Sequence, residues 1–307
     1  MASKFKCIWA NDNEPKVCKI YWERFYDDKL HWGDIRAIKD GDIPDHDLLC
    51  AGFPCQSFSI AGKRRGFEDT RGTLFFEVCR VLRVKRPSYL LLENVKGLLS
   101  HDNGRTFSII LSSLDELGYD CQWQVLNAKM WLPQNRERIF IVGHLREKPF
   151  PKVFPIRESG KRSNSSPEET QGALQVGSSE LENNPIYVVQ LAHQHQNRWG
   201  EWIKKQEYTD TLDSWGTLGI MQLSNGKMSI RALTPLECER LQGFPDNWTE
   251  GLSDQWRYTC LGNAVPPIMI QKIGEILARQ IELKEIRFLD MFCGIGGFRK
   301  GLENVRM

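Results

Sequence analysis

No stretch of this sequence is apolar for long enough to cross a bilayer as a helix. The opening residues, Met1-Ala2-Ser3-Lys4-Phe5-Lys6-Cys7, also lack the apolar core of an export signal. A cytoplasmic protein with no membrane partner is expected. There are 9 cysteines, yet no Cys-x-x-Cys pair and no Cys/His cluster at zinc-ligand spacing. That excludes a zinc module and a disulfide scaffold, so no metal is expected and most thiols read as small buried hydrophobes. An excess of one charge is missing too: 41 Lys and Arg stand against 39 Asp and Glu, for a net +2. A polyanionic partner must therefore be held by a local basic patch, not by overall charge. Nothing points to an obligate protein partner, and a monomer is expected.

What remains is a soluble globular composition, 41% apolar and 26% charged over 307 residues, enough for one large domain and a smaller one. Residues 5–9, 47–51, 89–93 and 139–143 are short apolar runs of the buried-strand type. Helical spacing separates them over residues 15–24, 74–84 and 106–117, the last placing Phe107, Ile110, Leu111, Leu114 and Leu117 on one face. This alternation predicts a doubly wound, Rossmann-like α/β sheet. It stops near residue 147: residues 158–184 are rich in Ser, Glu, Gly and Asn and read as linker, and residues 185–228 carry Trp199, Trp202 and Trp215 with no clear period. Helical signals return at residues 235–242 and 266–283. The expected domains are residues 1–146, an irregular smaller domain within 147–228, and a return to the first domain over 229–307.

The last segment has an unusual place. Residues 287–292 read as a strand, and Cys293-Gly294-Ile295-Gly296-Gly297-Phe298 leads into a helix. Strand, glycine turn and helix usually open a nucleotide-binding domain. The piece that should follow is the strand at residues 5–9 with Asp12 beyond it, so a circular permutation is expected. Asp290 and Asp12 then match the acids with which such sites hold a ribose. The turn alone fits a plain tight turn equally well; the two acids tip the reading to a nucleoside cofactor.

Cys55, in Phe53-Pro54-Cys55-Gln56-Ser57, follows a strand directly and so stands where open α/β sheets bind ligands. Its Pro, Gly and polar neighbours make poor core, although a buried thiol is the bland alternative. Lys63, Arg64 and Arg65 nearby could favour thiolate or phosphate, or be a solvated loop. Glu93 ends the apolar run Leu90-Leu91-Leu92, where a carboxylate is costly unless paired or used. Partial burial would raise its pKa and suit it to donate a proton, with a structural ion pair as the alternative. Gln134-Asn135-Arg136-Glu137-Arg138 offers guanidinium donors to the same region.

These motifs, with Gly66-Phe67-Glu68-Asp69-Thr70-Arg71-Gly72, Glu93-Asn94-Val95, residues 231–245 and Gly262-Asn263-Ala264-Val265, resemble those of the DNA cytosine-C5 methyltransferases. The resemblance spans nearly everything outside 147–228; only the starting point of the order is rotated. It implies methyl transfer from S-adenosylmethionine to C5 of a flipped-out cytosine in double-stranded DNA, within a restriction-modification system. Cys55 would attack C6, Glu93 engage N3 and the exocyclic amine, and Arg138 contact O2. The loop from Gln56 to Gly72, with Gly62 and Gly66 as hinges, resembles the family's mobile cover over DNA. Gln56, Lys63, Arg64, Arg71 and Arg136 are the implied DNA contacts. Phe292, Gly294, Ile295 and Gly296 would surround the methionine part of the cofactor, Asp12 the ribose, and Asp34 and Ile35 the adenine. Pro54, Leu74, Asn263 and Val265 complete the implied pocket. Asn13 stands where some members stack an aromatic on adenine, and Ala264 where some carry serine. The insert at 185–228 would be the target-recognition domain.

Three other readings stay open. A transfer-RNA cytosine-C5 methyltransferase would share the architecture, but that branch resembles Pro-Cys-Phe-Thr where this chain has Pro54-Cys55-Gln56-Ser57. A nicotinamide oxidoreductase explains the glycine turn and leaves Cys55 and Glu93 idle. A non-catalytic DNA-binding protein has no use for either residue.

Overall fold

Strands that are covered on both faces need apolar residues at every position, and this chain supplies them in short runs. The computed structural model describes residues 3–53, 74–149, 151–157, 186–190, 218–224 and 227–306. Strand β1 (Phe5–Asp12), helix α1 (Pro15–Phe25), β2 (Leu30–Trp32) and β3 (Leu48–Gly52) come first. Next are α2 (Leu74–Lys85), β4 (Tyr89–Val95), α3 (Arg105–Glu116), β5 (Tyr119–Asn127) and β6 (Glu137–Leu145). Strands β7 (Ile186–Gln190), β8 (Leu218–Ser224) and β9 (Lys227–Ala232) follow. The chain closes with α4 (Pro235–Gln242), α5 (Asp254–Asn263), α6 (Pro267–Gln280), β10 (Ile286–Met291) and α7 (Gly297–Glu303).

Among the described residues, seven strands form one sheet in the order β2-β1-β10-β3-β4-β6-β5. Neighbours from β2 to β4 are parallel, whereas β6 pairs antiparallel with both β4 and β5. Alternation along β3 shows how the layers are made. Leu48 and Cys50 join the apolar cluster under α6 and α7, while Leu49 and Ala51 join the one under α2 and α3. A mixed α/β sheet with helices on both faces is the result.

The differences from the sequence reading have local causes. Residues 139–143 are indeed a buried strand, and β6, which holds them, runs antiparallel to β4. Its partner β5 escaped notice because Asp120, Gln122, Trp123 and Gln124 interrupt its apolar pattern at the sheet edge. Helix α5 was missed as well; Cys260 and Leu261 are its buried residues, too few to write a period. β7 and β8 of the insert join β9, which starts at Lys227 and runs past the expected boundary at 228 to Ala232, in a three-stranded antiparallel sheet, so the segment is more regular than its sequence suggests. Residues 158–184, Trp199, Trp202 and Trp215 lie outside the described residues.

β10, late in the chain, lies between β1 and β3, with Ala10 paired to Asp290 and Met291 to Ala51. Ser3 bridges antiparallel to Arg306, and its hydroxyl donates to the Leu302 carbonyl at 3.1 Å. The described cysteines are all free thiols, buried except for the half-buried Cys121. Among the described residues no helix is long and apolar enough to cross a membrane.

Candidate active site

Because β1, β10, β3 and β4 run parallel, their carboxyl ends share one edge of the sheet. Asp12, Phe292, Gly52 and Glu93 all sit there, since Asn11 pairs with Met291, Met291 with Ala51, and Gly52 with Glu93. Three strand spacings separate β1 from β4, or about 15 Å. That edge is where ligands bind in open α/β sheets.

At its β4 end, Glu93 is almost enclosed. Oε1 lies 3.1 Å from Arg138 Nε, and only 13% and 12% of the two side chains remain exposed. Oε2 lies over the end of β3, 3.3 Å from where a methyl group on Gly52 would stand. Burial raises the Glu93 pKa, against the opposing pull of Arg138 and then Arg136. The next residue, Asn94, is buried and donates through Nδ2 to the Phe53 carbonyl at 2.7 Å. It thus fastens the backbone two residues before Cys55. Cys55 itself, with Pro54, Gln56, Lys63, Arg64 and Arg71, lies outside the described residues.

At the β1 end, Asp12 joins the two extremes of the chain. Its Oδ2 accepts from the Gly294 amide at 3.0 Å, across 282 residues, and Oδ1 accepts from the Glu14 amide at 3.0 Å. Burial raises its pKa, and these amides offset part of the rise. Gly294 has φ +54°, and among the described residues a side chain there would meet only the Phe292 carbonyl, 4.0 Å away, so a backbone cradle opens toward Asp12. Gly297 has the opposite constraint. A methyl group on it would stand 2.3 Å from the Val265 carbonyl, so glycine is required for α7 to pack against that loop. Asn11 donates to the His31 and Gly33 carbonyls at 2.7 and 2.8 Å, locking the end of β2 beside Asp12. Asp34 follows, its carboxylate held by Arg36 Nε at 2.9 and 3.0 Å and its pKa lowered by that contact. Ile35 is buried, Leu74 and Phe292 are half-buried, Val265 is buried, and Asn13 and Asn263 are exposed. The residues present fit a nucleoside cofactor: a glycine cradle with room above it, an adjacent carboxylate, and a second carboxylate beside an apolar wall.

Several expectations need correction. Arg136 is 1% exposed and donates through Nη2 to the Gly262 and Ala264 carbonyls, both at 2.8 Å. A guanidinium so enclosed is not a surface contact for DNA phosphate. Ile295 turns its side chain into the core with Ile20 and Trp248, leaving only its backbone in the turn. Asp290 is fully buried near Cys7, Cys50 and Arg299, and burial pushes its carboxyl pKa well up, so it is not a ribose acid. Ala264 is buried in the same cluster as Ile295, where the small side chain is used for packing. Asn11 and Asn94 were passed over; a short amide at the end of a buried strand was the available signal.

Comparison with known proteins covers most of the chain. The family model described as C-5 cytosine-specific DNA methylase matches residues 1–279. Type II methyltransferase M1.ScrFI of Lactococcus lactis subsp. cremoris is 38% identical over 301 residues, covering 91% of this chain and 74% of that protein. Type II methyltransferase M.HhaI of Haemophilus parahaemolyticus is 34% identical over 295 residues, covering 91% and 89%. In fold, the S. pombe Dnmt2 methyltransferase superposes with a TM-score of 0.62 at 20% identity, covering 88% of this chain and 89% of its own.

Proposed function

The chain belongs to the C-5 cytosine-specific DNA methylases, and on that footing we propose that it methylates a flipped-out cytosine in duplex DNA through a covalent Cys55 adduct, as the modification enzyme of a restriction-modification system. It is a DNA cytosine-C5 methyltransferase, and S-adenosylmethionine is its methyl donor. The observation that carries the mechanism is the Glu93–Arg138 pair, nearly enclosed at the ends of β3 and β4, with Cys55 three residues beyond β3.

Cys55 attacks C6 of the target ring as thiolate, forming the S–C6 bond and moving electron density to C5. Glu93, with its elevated pKa, donates a proton to N3 and accepts from the exocyclic amine, which stabilises the adduct. Arg138 holds Glu93 by one edge and offers its remaining donors to O2. When bound, S-adenosylmethionine supplies the electrophilic methyl group. A base then removes the C5 proton, the S–C6 bond breaks, and N3 returns its proton to Glu93, so that the aromatic ring is restored with Cys55 free. Gly294, Gly296 and Phe292 would cradle the methionine part of the cofactor. Asp12 would take the ribose hydroxyls, and Asp34, Ile35, Leu74, Asn263 and Val265 the adenine side. Such chemistry needs the base out of the duplex, which a cover loop carrying Gln56, Lys63, Arg64 and Arg71 would assist.

The order of the elements reads as a circular permutation, in which β10, the glycine turn and α7 would precede β1. The parallel pairing of β1 with β10, the Ser3–Arg306 bridge and the Asp12–Gly294 bond support this. The segment within 147–228, carrying β7, β8 and the start of β9, is proposed as the target-recognition domain. Incubation with S-adenosylmethionine and a random-sequence duplex library, followed by bisulfite sequencing, tests the whole reading. Protected cytosines in one sequence context are expected; methylation of transfer RNA with unmodified duplex DNA would favour the sister activity instead.

A further inference from the structure

Arg136 is held too well, and used too little by the protein around it, to be only a filler of space. Its backbone is pinned on both sides: the amide donates to Asn127 Oδ1 at 3.1 Å, and the carbonyl accepts from the Ala128 amide at 2.9 Å. That fixes the stem so that Nη2 meets the Gly262 and Ala264 carbonyls, 126 and 128 residues away. The remaining donors, Nε and Nη1, are buried and have no hydrogen-bond partner among the described residues. An enclosed guanidinium is expensive unless its charge serves something nearby. Two residues further on, Arg138 lies on β6 and grips Glu93 from the adjoining strand.

The two carbonyls that Arg136 holds flank Asn263 at the end of α5 and precede Val265, the segment assigned to the adenine side of the cofactor. The Val265 carbonyl in turn rests on Gly297, at a distance that leaves no room for a methyl group. One side chain therefore touches the loop that closes against the glycine turn, and brings its charge to bear on the carboxylate at the other end of the site.

Resting on the proposed function above, we propose that Arg136 is a positioning residue that joins the two halves of the site: Nη2 sets the end of α5 and the Ala264–Val265 segment against the glycine turn, and the guanidinium stands two residues from Arg138, the partner of Glu93. Neither cofactor nor DNA touches it. The two jobs separate by substitution. Lysine keeps the charge but replaces a planar fork with one ammonium on a flexible stem. Methionine keeps much of the volume and removes both the charge and the hydrogen bonds.

The test uses the full chain as wild type, Arg136→Lys and Arg136→Met. S-adenosylhomocysteine affinity is measured by calorimetry, and kcat and KM for duplex DNA are measured across pH. Arg136→Lys is expected to bind S-adenosylhomocysteine about tenfold more weakly, the scale of a lost hydrogen bond to a charged group, with KM for DNA unchanged. Among the described residues, the charges acting on Glu93 are Arg138 on β6 and Arg136 on the bend before it, while β3 presents the uncharged Gly52. With Glu93 acting as the proton donor, Arg136→Met should move the alkaline fall of kcat/KM to higher pH, since loss of a cation favours the neutral acid. Arg136→Lys should leave that fall where the wild type has it. If Arg136→Met does not fold, the lysine variant decides on affinity alone. Wild-type affinity in Arg136→Lys, or weaker DNA and cofactor binding in equal measure, would overturn the proposal. A wild type that binds no S-adenosylhomocysteine would overturn the underlying function instead.

Discussion

At Glu93, burial and charge act in opposite directions, and the chemistry depends on burial being the larger. Enclosure raises the carboxyl pKa, while Arg138 and Arg136 restrain the rise. A group that must donate a proton loses function as pH climbs through its pKa, so kcat/KM should fall on the alkaline side of an elevated Glu93 pKa. Glu93→Gln keeps the shape without the acid and should lower kcat by roughly 100-fold or more, with DNA affinity little changed. A variant with near-wild-type kcat and the same pH profile would remove Glu93 from the mechanism. The need for a partner was legible in the sequence, because a carboxylate closing a run of three leucines must be paired or used, and the structure pairs it with Arg138. Arg136 was not legible in its role. Its neighbour Arg138 has the same side chain two residues away, and only the fold separates the one beside Glu93 from the one bonded to Gly262 and Ala264.

Among the elements, α4 shows how a short helix is fixed by its first turn. Thr234 Oγ1 accepts from the Glu237 amide at 3.3 Å, Glu237 Oε2 accepts from the Thr234 amide at 2.7 Å, and Arg231 forks onto the same carboxylate. The Arg231 contact leads in lowering the Glu237 pKa from 4.5 to about 2, with Thr234 assisting. Because the folded value is depressed, the stabilisation is complete above the ordinary carboxylate pKa and is lost as pH falls toward about 2. Glu237→Ala should therefore cost on the order of 1 kcal/mol at neutral pH, read as a lower thermal midpoint. The gap from wild type should narrow as pH drops below 4.5; a gap that does not change with pH would show that the cap is not electrostatic. The same scale explains which elements could be read in advance. The doubly covered strands β3, β4 and β10 and the amphipathic helices α2, α3 and α6 write their burial into spacing. β5 lies at the sheet edge with one side mixed, and α5 buries only Cys260 and Leu261, so neither leaves a period to find.

For the whole molecule, the order of the chain matters less than the order of the strands. β10 lies between β1 and β3, and the described ends meet at Ser3 and Arg306. A chain joined there by a short linker and opened at residues 282–285, between α6 and β10, should fold and keep its cofactor affinity. Loss of folding in that variant would mean that the rotated order is required, against the permutation. Exchanging the 147–228 segment for that of a relative should change the methylated sequence while leaving Cys55, Glu93 and Asp12 to do the same chemistry. The most direct test of the central claim is covalent trapping on duplex DNA carrying 5-fluorocytosine, in the presence of S-adenosylmethionine. Fluorine replaces the C5 proton, so the S–C6 bond cannot be released once the methyl has been transferred. The account predicts one protein per target site, stable to denaturation, with the attachment mapped by peptide mass to Cys55 and absent in Cys55→Ser. No adduct, or an adduct that persists in Cys55→Ser, would contradict it.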